Sequence, residues 1–136
     1  MLELSEDCIY IRGNVPSSKN SKQWTGKMLI KSKTVQNYDK EYSYQYADPK
    51  TIEKFKKMVK DEIKPYKIAF YFIRDSRRKF DYVNIAQYPL DLMVKNGWID
   101  DDNSNEVIPY FLGYRVDRFK AGMLIKIFRS ENSKTL

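Results

Sequence analysis

Residues 77–102 read RRKFDYVNIAQYPLDLMVKNGWIDDD, and the folding of this stretch decides how the rest of the chain is arranged. It predicts a helix from Asp81 to about Asn96, with Gly97 as the residue just past its end. Pro89 falls inside that helix, removes one backbone hydrogen bond, and predicts a kink near Ile85. Trp98 to Asn105 then forms an acidic loop. Upstream, Ile68-Ala-Phe-Tyr-Phe-Ile73 reads as a buried strand, and Arg74-Asp-Ser-Arg-Arg-Lys79 as a basic loop. Downstream, Glu106 to Tyr114 and Met123 to Phe128 read as two more strands, joined by a turn region from Asp117 to Gly122.

Working back to the start, Cys8-Ile-Tyr-Ile-Arg12 alternates and is rich in β-branched and aromatic residues, which predicts a strand. Turn residues from Gly13 to Asn20 end it. Lys19 to Lys33 carries five lysines around Trp24 with no clear period, and reads as a long loop with a short hairpin around Gly26. Ser32 or Thr34 caps a helix reaching about Tyr46, with Val35, Tyr38 and Tyr42 at helical spacing. Asp48-Pro49 starts another, since Asp favours the cap and Pro the first helical position. Its apolar stripe is Ile52, Phe55, Met58, Val59 and Ile63. The order of elements is α+β: a small mixed sheet of about four strands packed with about three helices. One domain spans 1–136, with 130–136 as a frayed tail.

The 136 residues are 42% hydrophobic and 15% aromatic, enough to build one core. The chain has no His and a single Cys, Cys8. That excludes a disulfide framework within the chain, His-based zinc sites, and Ser-His or Cys-His nucleophile pairs. A bound metal would be held mainly by Asp, Glu and Asn oxygens, which suits a hard ion such as magnesium. No stretch approaches the roughly 18 apolar residues of a membrane span, and Met1 to Asp7 has no basic or long apolar run. The expectation is a cytoplasmic protein with no membrane partner. A net charge of +7 points to a polyanionic partner, nucleic acid ahead of membrane, against the plainer reading of a solubilising basic surface.

The basic run Arg77-Arg-Lys79, Asp81 and Asn84 at the opening of a helix, Asp91 midway, Gly97, and the pair Asp101-Asp102 before a strand resemble the RusA-type Holliday junction resolvases. The first strand followed by Pro16-Ser17 and Asn20 is similar to that family's Pro-Ser-x-Asn loop. The resemblance runs through nearly the whole chain in the order of elements, but is sharp only over the segment around Asp81 to Asp102. It implies a RusA-like, Mg2+-dependent endodeoxyribonuclease, with Mn2+ as the other candidate ion. The implied substrate is a Holliday junction or related branched DNA in recombination and repair. A homodimer of bacterial, prophage or phage origin is also implied.

In such a protein Asp81 and Asp102 are the catalytic metal ligands. Arg74, Arg77, Arg78 and Lys79, with Lys19, Lys22 and Lys27 on the long loop, bind DNA phosphates. Two positions depart from the family pattern: Val83 stands where a second metal-binding Asp is expected, and Gln87 where a Lys assists at the scissile phosphate. Either nearby oxygens of Asn84, Asp91, Asp100 or Asp101 complete the site, or the protein binds branched DNA with weakened or lost catalysis.

Geometry adds a constraint. A helix from Asp81 to Asn96 is about 24 Å long at 1.5 Å per residue, which separates Asp81 from Asp102. They meet either across an antiparallel homodimer or through a sharp reversal at Pro89 or after Gly97. Plainer readings stand beside these. Asp81 also suits an ordinary N-cap, Asp91 an exposed helix position, Asp100 to Asp102 a solvated turn, and the basic clusters solvated loops. Trp98 belongs to the core or to a dimer interface, and Phe70 to Phe72 to the core. The acidic loop lacks the Gly and ligand spacing of a calcium loop.

Overall fold

The computed structural model describes residues 7–18, 22–24, 26 and 29–129. Strand β1 (Cys8–Arg12) is followed by a hairpin of β2 (Lys22–Trp24) and β3 (Leu29–Lys31), then helices α1 (Lys33–Tyr42), α2 (Tyr44–Ala47) and α3 (Pro49–Met58). Strand β4 (Tyr66–Arg74), helix α4 (Tyr82–Lys95), β5 (Val107–Val116) and β6 (Gly122–Ile127) complete the order. The fold is α+β, with a four-stranded mixed sheet ordered β1-β6-β4-β5 and a separate two-stranded hairpin. The hairpin near Gly26 is thus present; Lys22 and Trp24 are described there by their backbone, with Lys22 paired to Lys31. Lys19, Asn20, Lys27 and the tail 130–136 lie outside the described residues.

The apolar run 68–73 becomes a central strand because both its faces are buried: Ile68, Ala69, Phe70 and Phe72 have no accessible surface. β6 pairs with it antiparallel and β5 parallel. A parallel neighbour cannot be reached by a tight turn, and α4 supplies the crossover. Ile9, Ile11, Ile68, Phe70, Phe72, Met123 and Ile125 face the helices, where they meet Tyr38, Phe55, Met58, Ile85 and Met93 in one core. Leu112 is left out of the β4–β5 register, where the pairing shifts between Phe70 and Tyr71, and Gly113 beside it takes φ +120°.

Two helical expectations need correction. The helix expected to reach about Tyr46 is divided at Ser43, whose hydroxyl donates back to the Asp39 carbonyl. A Ser so placed offers the backbone an alternative partner and interrupts the ladder. Ser32 is the cap, accepting from the Val35 N–H at 3.4 Å. The next helix starts as expected, Asp48 accepting from the Lys50 N–H at 3.0 Å with Pro49 first in the helix. It ends at Met58, however, so Ile63 is no part of its stripe and is 80% exposed. A turn from Val59 to Glu62 intervenes, and Pro65 disfavours helical geometry at Lys64. α4 is continuous through the buried Pro89. Among the described residues no helix is long and apolar enough to cross a membrane.

Candidate active site

Asp81 occupies the N-cap of α4 in extended geometry, yet its side chain makes no capping bond. Its carboxylate instead accepts from the Asn84 amide at 3.2 Å. Asp81 thus holds the N-cap position that the plainer reading gave it, without the capping bond, and its carboxylate stays on the surface. The Asn84 carbonyl accepts from the Ser18 N–H at 2.7 Å, which holds the Pro16-Ser17 loop beside the start of α4. From here the exposed face of the helix runs through Gln87 and Asp91, spaced so that each lies about one turn beyond the last.

The far end of α4 shows how Asp102 reaches this face. Gly97 adopts φ +79°, the Gly97 N–H donates to the Val94 carbonyl at 3.1 Å, and the Trp98 N–H to the Met93 carbonyl at 2.9 Å. This pair of bonds is a Schellman motif, and it needs a residue that tolerates a left-handed backbone. The chain reverses there and Trp98 enters the core, 1% exposed. Its indole N–H donates to the Tyr46 carbonyl at 2.7 Å, and the ring packs on Tyr46 and Phe55. Trp98 is thus a core residue of its own chain.

Beyond Trp98 the three aspartates part company. Asp100 pairs with Lys64 at 2.9 Å, and that hydrogen bond holds its carboxyl below its ordinary pKa. Asp101 braces the turn, accepting from the Asp102 N–H at 2.7 Å and the Asn103 amide at 3.0 Å. Asp102 returns to α4, where the Gln87 amide donates to Asp91 at 2.8 Å and to Asp102 at 3.4 Å. The reversal after Gly97, one of the two routes the spacing allowed, is thus present within a single chain. It brings Asp102 to Gln87 and Asp91 in mid-helix; Asp81 stays with Asn84 at the helix start. Among the described residues no three Asp, Glu, Cys or His side chains are grouped to hold a metal ion. Val83, where the family resemblance led to the expectation of a carboxylate, is 69% exposed.

The Asp81 end of this face opens on a cleft of about 1160 Å³. Among the described residues, Lys33, Arg74, Arg78, Lys79 and Arg118 line it against two carboxylates, Asp75 and Asp81. Arg78 and Lys79 are exposed, as is the neighbouring Arg77. Arg74 is more constrained: its guanidinium donates to the Val15 carbonyl at 2.7 Å and lies over the Phe80 ring, and burial lowers its pKa. It fixes the loop after β1 against the end of β4.

Arg118 escaped the reading of the sequence, which treated 117–122 only as a turn. The signal was present in Asp117-Arg-Phe-Lys120, a basic turn joining two strands and displaying an aromatic residue. No protein-family model matches the chain, and no curated protein matches it significantly.

Proposed function

We propose that this chain is a structure-selective, magnesium-dependent endodeoxyribonuclease acting on Holliday junctions or related branched DNA. The observation that carries the reading is the return of Asp102 to the polar face of α4, beside a cleft whose charged lining is mostly cationic. The donors fit a hard ion, because Asp91 and Asp102 are already drawn to one amide and Gln87 has its own carbonyl oxygen to offer. Magnesium typically takes one or two protein carboxylates and leaves its other positions to water and phosphate, so three clustered acids are not required. Asp102 and Asp91 would hold the ion, with Mn2+ able to replace it, and Asp81 with Asn84 would complete the acidic face toward the cleft. Bound there, the ion supplies Lewis-acid polarisation of the phosphodiester and neutralises developing charge.

The chain's own residues do the rest. Arg78, Lys79 and Arg118 neutralise phosphates along the cleft and fix the register of the duplex. Arg77 extends that surface, and Lys19, Lys22 and Lys27 would add phosphate contacts. Asn84, held by Asp81 through its amide, would turn toward the phosphodiester that enters from the cleft. Two such sites, one in each chain of a homodimer, suit the paired cuts that a four-way junction needs. Each chain folds its own Asp102 back, so the site need not be shared across that dimer. A cytoplasmic protein of a bacterium or its phage would meet this substrate in recombination and repair.

One observation favours a second reading, a branched-DNA-binding protein with weakened or no catalysis. An apolar side chain at Val83 occupies the place of a carboxylate, and among the described residues no three acids cluster. A cleavage assay on a synthetic four-way junction with Mg2+, run beside a binding assay in EDTA, separates the two. Asp102→Asn should lower cleavage by on the order of 100-fold or more, because a misplaced ion forfeits several kcal/mol of transition-state stabilisation, and Asp81→Asn should lower it by releasing Asn84 at the mouth of the cleft. Junction binding should survive or strengthen. Binding without cleavage by the unaltered chain would establish the second reading, and cleavage undiminished in Asp81→Asn would remove its assigned role.

A further inference from the structure

The turn between β5 and β6 displays an aromatic side chain that the fold does not use. Phe119 is 86% exposed, the highest value among the large apolar side chains of the described residues. Its backbone is firmly held. The Asp117 carboxylate accepts from the N–H groups of Phe119 at 3.0 Å and Lys120 at 3.2 Å. The Asp117 N–H donates to the Arg74 carbonyl at 2.9 Å, tying the turn to the end of β4 where the basic loop begins. On the other side the Tyr10 hydroxyl donates to the Lys120 carbonyl at 2.9 Å, and the Gly13 N–H to the Ala121 carbonyl at 2.9 Å. Gly122 completes the brace: a Cβ there would lie 2.5 Å from the Ile11 carbonyl, so β1 and the turn approach as closely as backbones can.

A large apolar ring held in water on a fixed turn forgoes the roughly 2 kcal/mol that burial would contribute. Its position relative to charge then says what it meets. The adjacent Arg118 lines the cationic cleft, and its guanidinium lies 5.3 Å from the centre of the Phe119 ring. An aromatic face beside a guanidinium at the rim of a phosphate-binding cleft is the pairing that recognises a nucleobase exposed by loss of stacking. A fully stacked duplex offers no such face.

We infer that Phe119 is a base-stacking wedge, inserted at the branch point where base pairs are unstacked, with Arg118 on the flanking phosphate. This rests on the nucleic-acid reading above and adds to it a structural reason for preferring branched over linear DNA. The site is distinct from the carboxylates of α4, so it acts on substrate selection and not on the cleavage step.

The test uses the full-length chain in EDTA, with fluorescence anisotropy on a four-way junction and on a linear duplex of matching arm sequence. A second readout is 2-aminopurine placed at the branch point. Phe119→Ala should weaken junction binding by about tenfold, leave duplex binding and the thermal midpoint unchanged, and abolish the rise in 2-aminopurine fluorescence. Phe119→Trp should retain both junction affinity and the fluorescence rise. Arg118→Gln should lower affinity for both DNAs and reduce the salt slope by about one. Equal affinity of Phe119→Ala and the unaltered chain for the junction overturns the wedge alone. So does an equal loss on junction and duplex. An unaltered chain that binds neither DNA overturns the nucleic-acid reading, and the wedge falls with it.

Discussion

The two halves of the polar face of α4 are made in different ways. In the first half Asp81 and Asn84 stand three residues apart and meet across 3.2 Å because a helix puts such positions side by side. In the second half Gln87 and Asp91 are also neighbours on the helix, but Asp102 comes from beyond a chain reversal. Its arrival depends on the left-handed Gly97, the buried Trp98 and the pairing of Asp100 with Lys64. One half is a property of a helix, and the other is a property of the core. The carboxylates on this face are therefore secured by two independent sets of interactions, which can be broken one at a time.

The sharpest break is at Trp98. Trp98→Ala removes a fully packed indole and its bond to the Tyr46 carbonyl, and should cost about 3–5 kcal/mol in denaturant unfolding. If the variant still folds, Asp102 should leave Gln87 while Asp81 and Asn84 keep their contact, visible as side-chain amide shifts of Gln87 but not of Asn84. A loss below about 1 kcal/mol would show that the tryptophan does not anchor the second half.

Val83→Asp sharpens the first half instead. The position is exposed and lies in the first turn of α4, which carries no acidic residue. A carboxylate there should stabilise the chain by about 0.3–1 kcal/mol through the positive end of the helix dipole. It should also raise Mg2+ affinity in calorimetric titration. Unchanged affinity would count against a metal role for the Asp81 end.

The smallest effect concerns the hairpin, whose Lys31 is tied at 2.7 Å to Asp39, which also accepts from the Tyr88 hydroxyl next to Gln87. Burial pushes the Asp39 carboxyl up, but the bonds from Lys31 and Tyr88 outweigh it and hold the group below its ordinary value of 3.8. A depressed carboxylate contributes stability above its unfolded pKa and loses it as pH falls through the folded one. Amide shifts of the hairpin should therefore be constant near neutrality and move only below about pH 4. Asp39→Asn should remove that acid step. A step unaltered in this variant would mean that other carboxylates hold the hairpin.

The same division explains what could be read from the chain. The four strands of the sheet, the Asp48-Pro49 start and the Gly97 stop are local signals of period and capping, and each stands where the residues put it. Asp81 and Asn84 were legible together for that reason. That Gln87 would draw Asp91 and Asp102 together was not, since it follows from where Trp98 packs. Ser43 dividing a helix depends on a side chain choosing the backbone as its partner, a choice that apolar spacing does not register. Arg118 and Phe119 were hidden because a turn shows its role only when the topology carries it beside the basic loop.

The Trp98 anchor has a consequence for timing. A loop whose first side chain is locked among Tyr46 and Phe55 cannot open by local fraying, so release of the loop should cost nearly as much free energy as unfolding the domain. Asp102 is then no lid residue waiting on substrate. The carboxylate is set when the chain folds, and the rate at which this face can act should not be limited by loop closure.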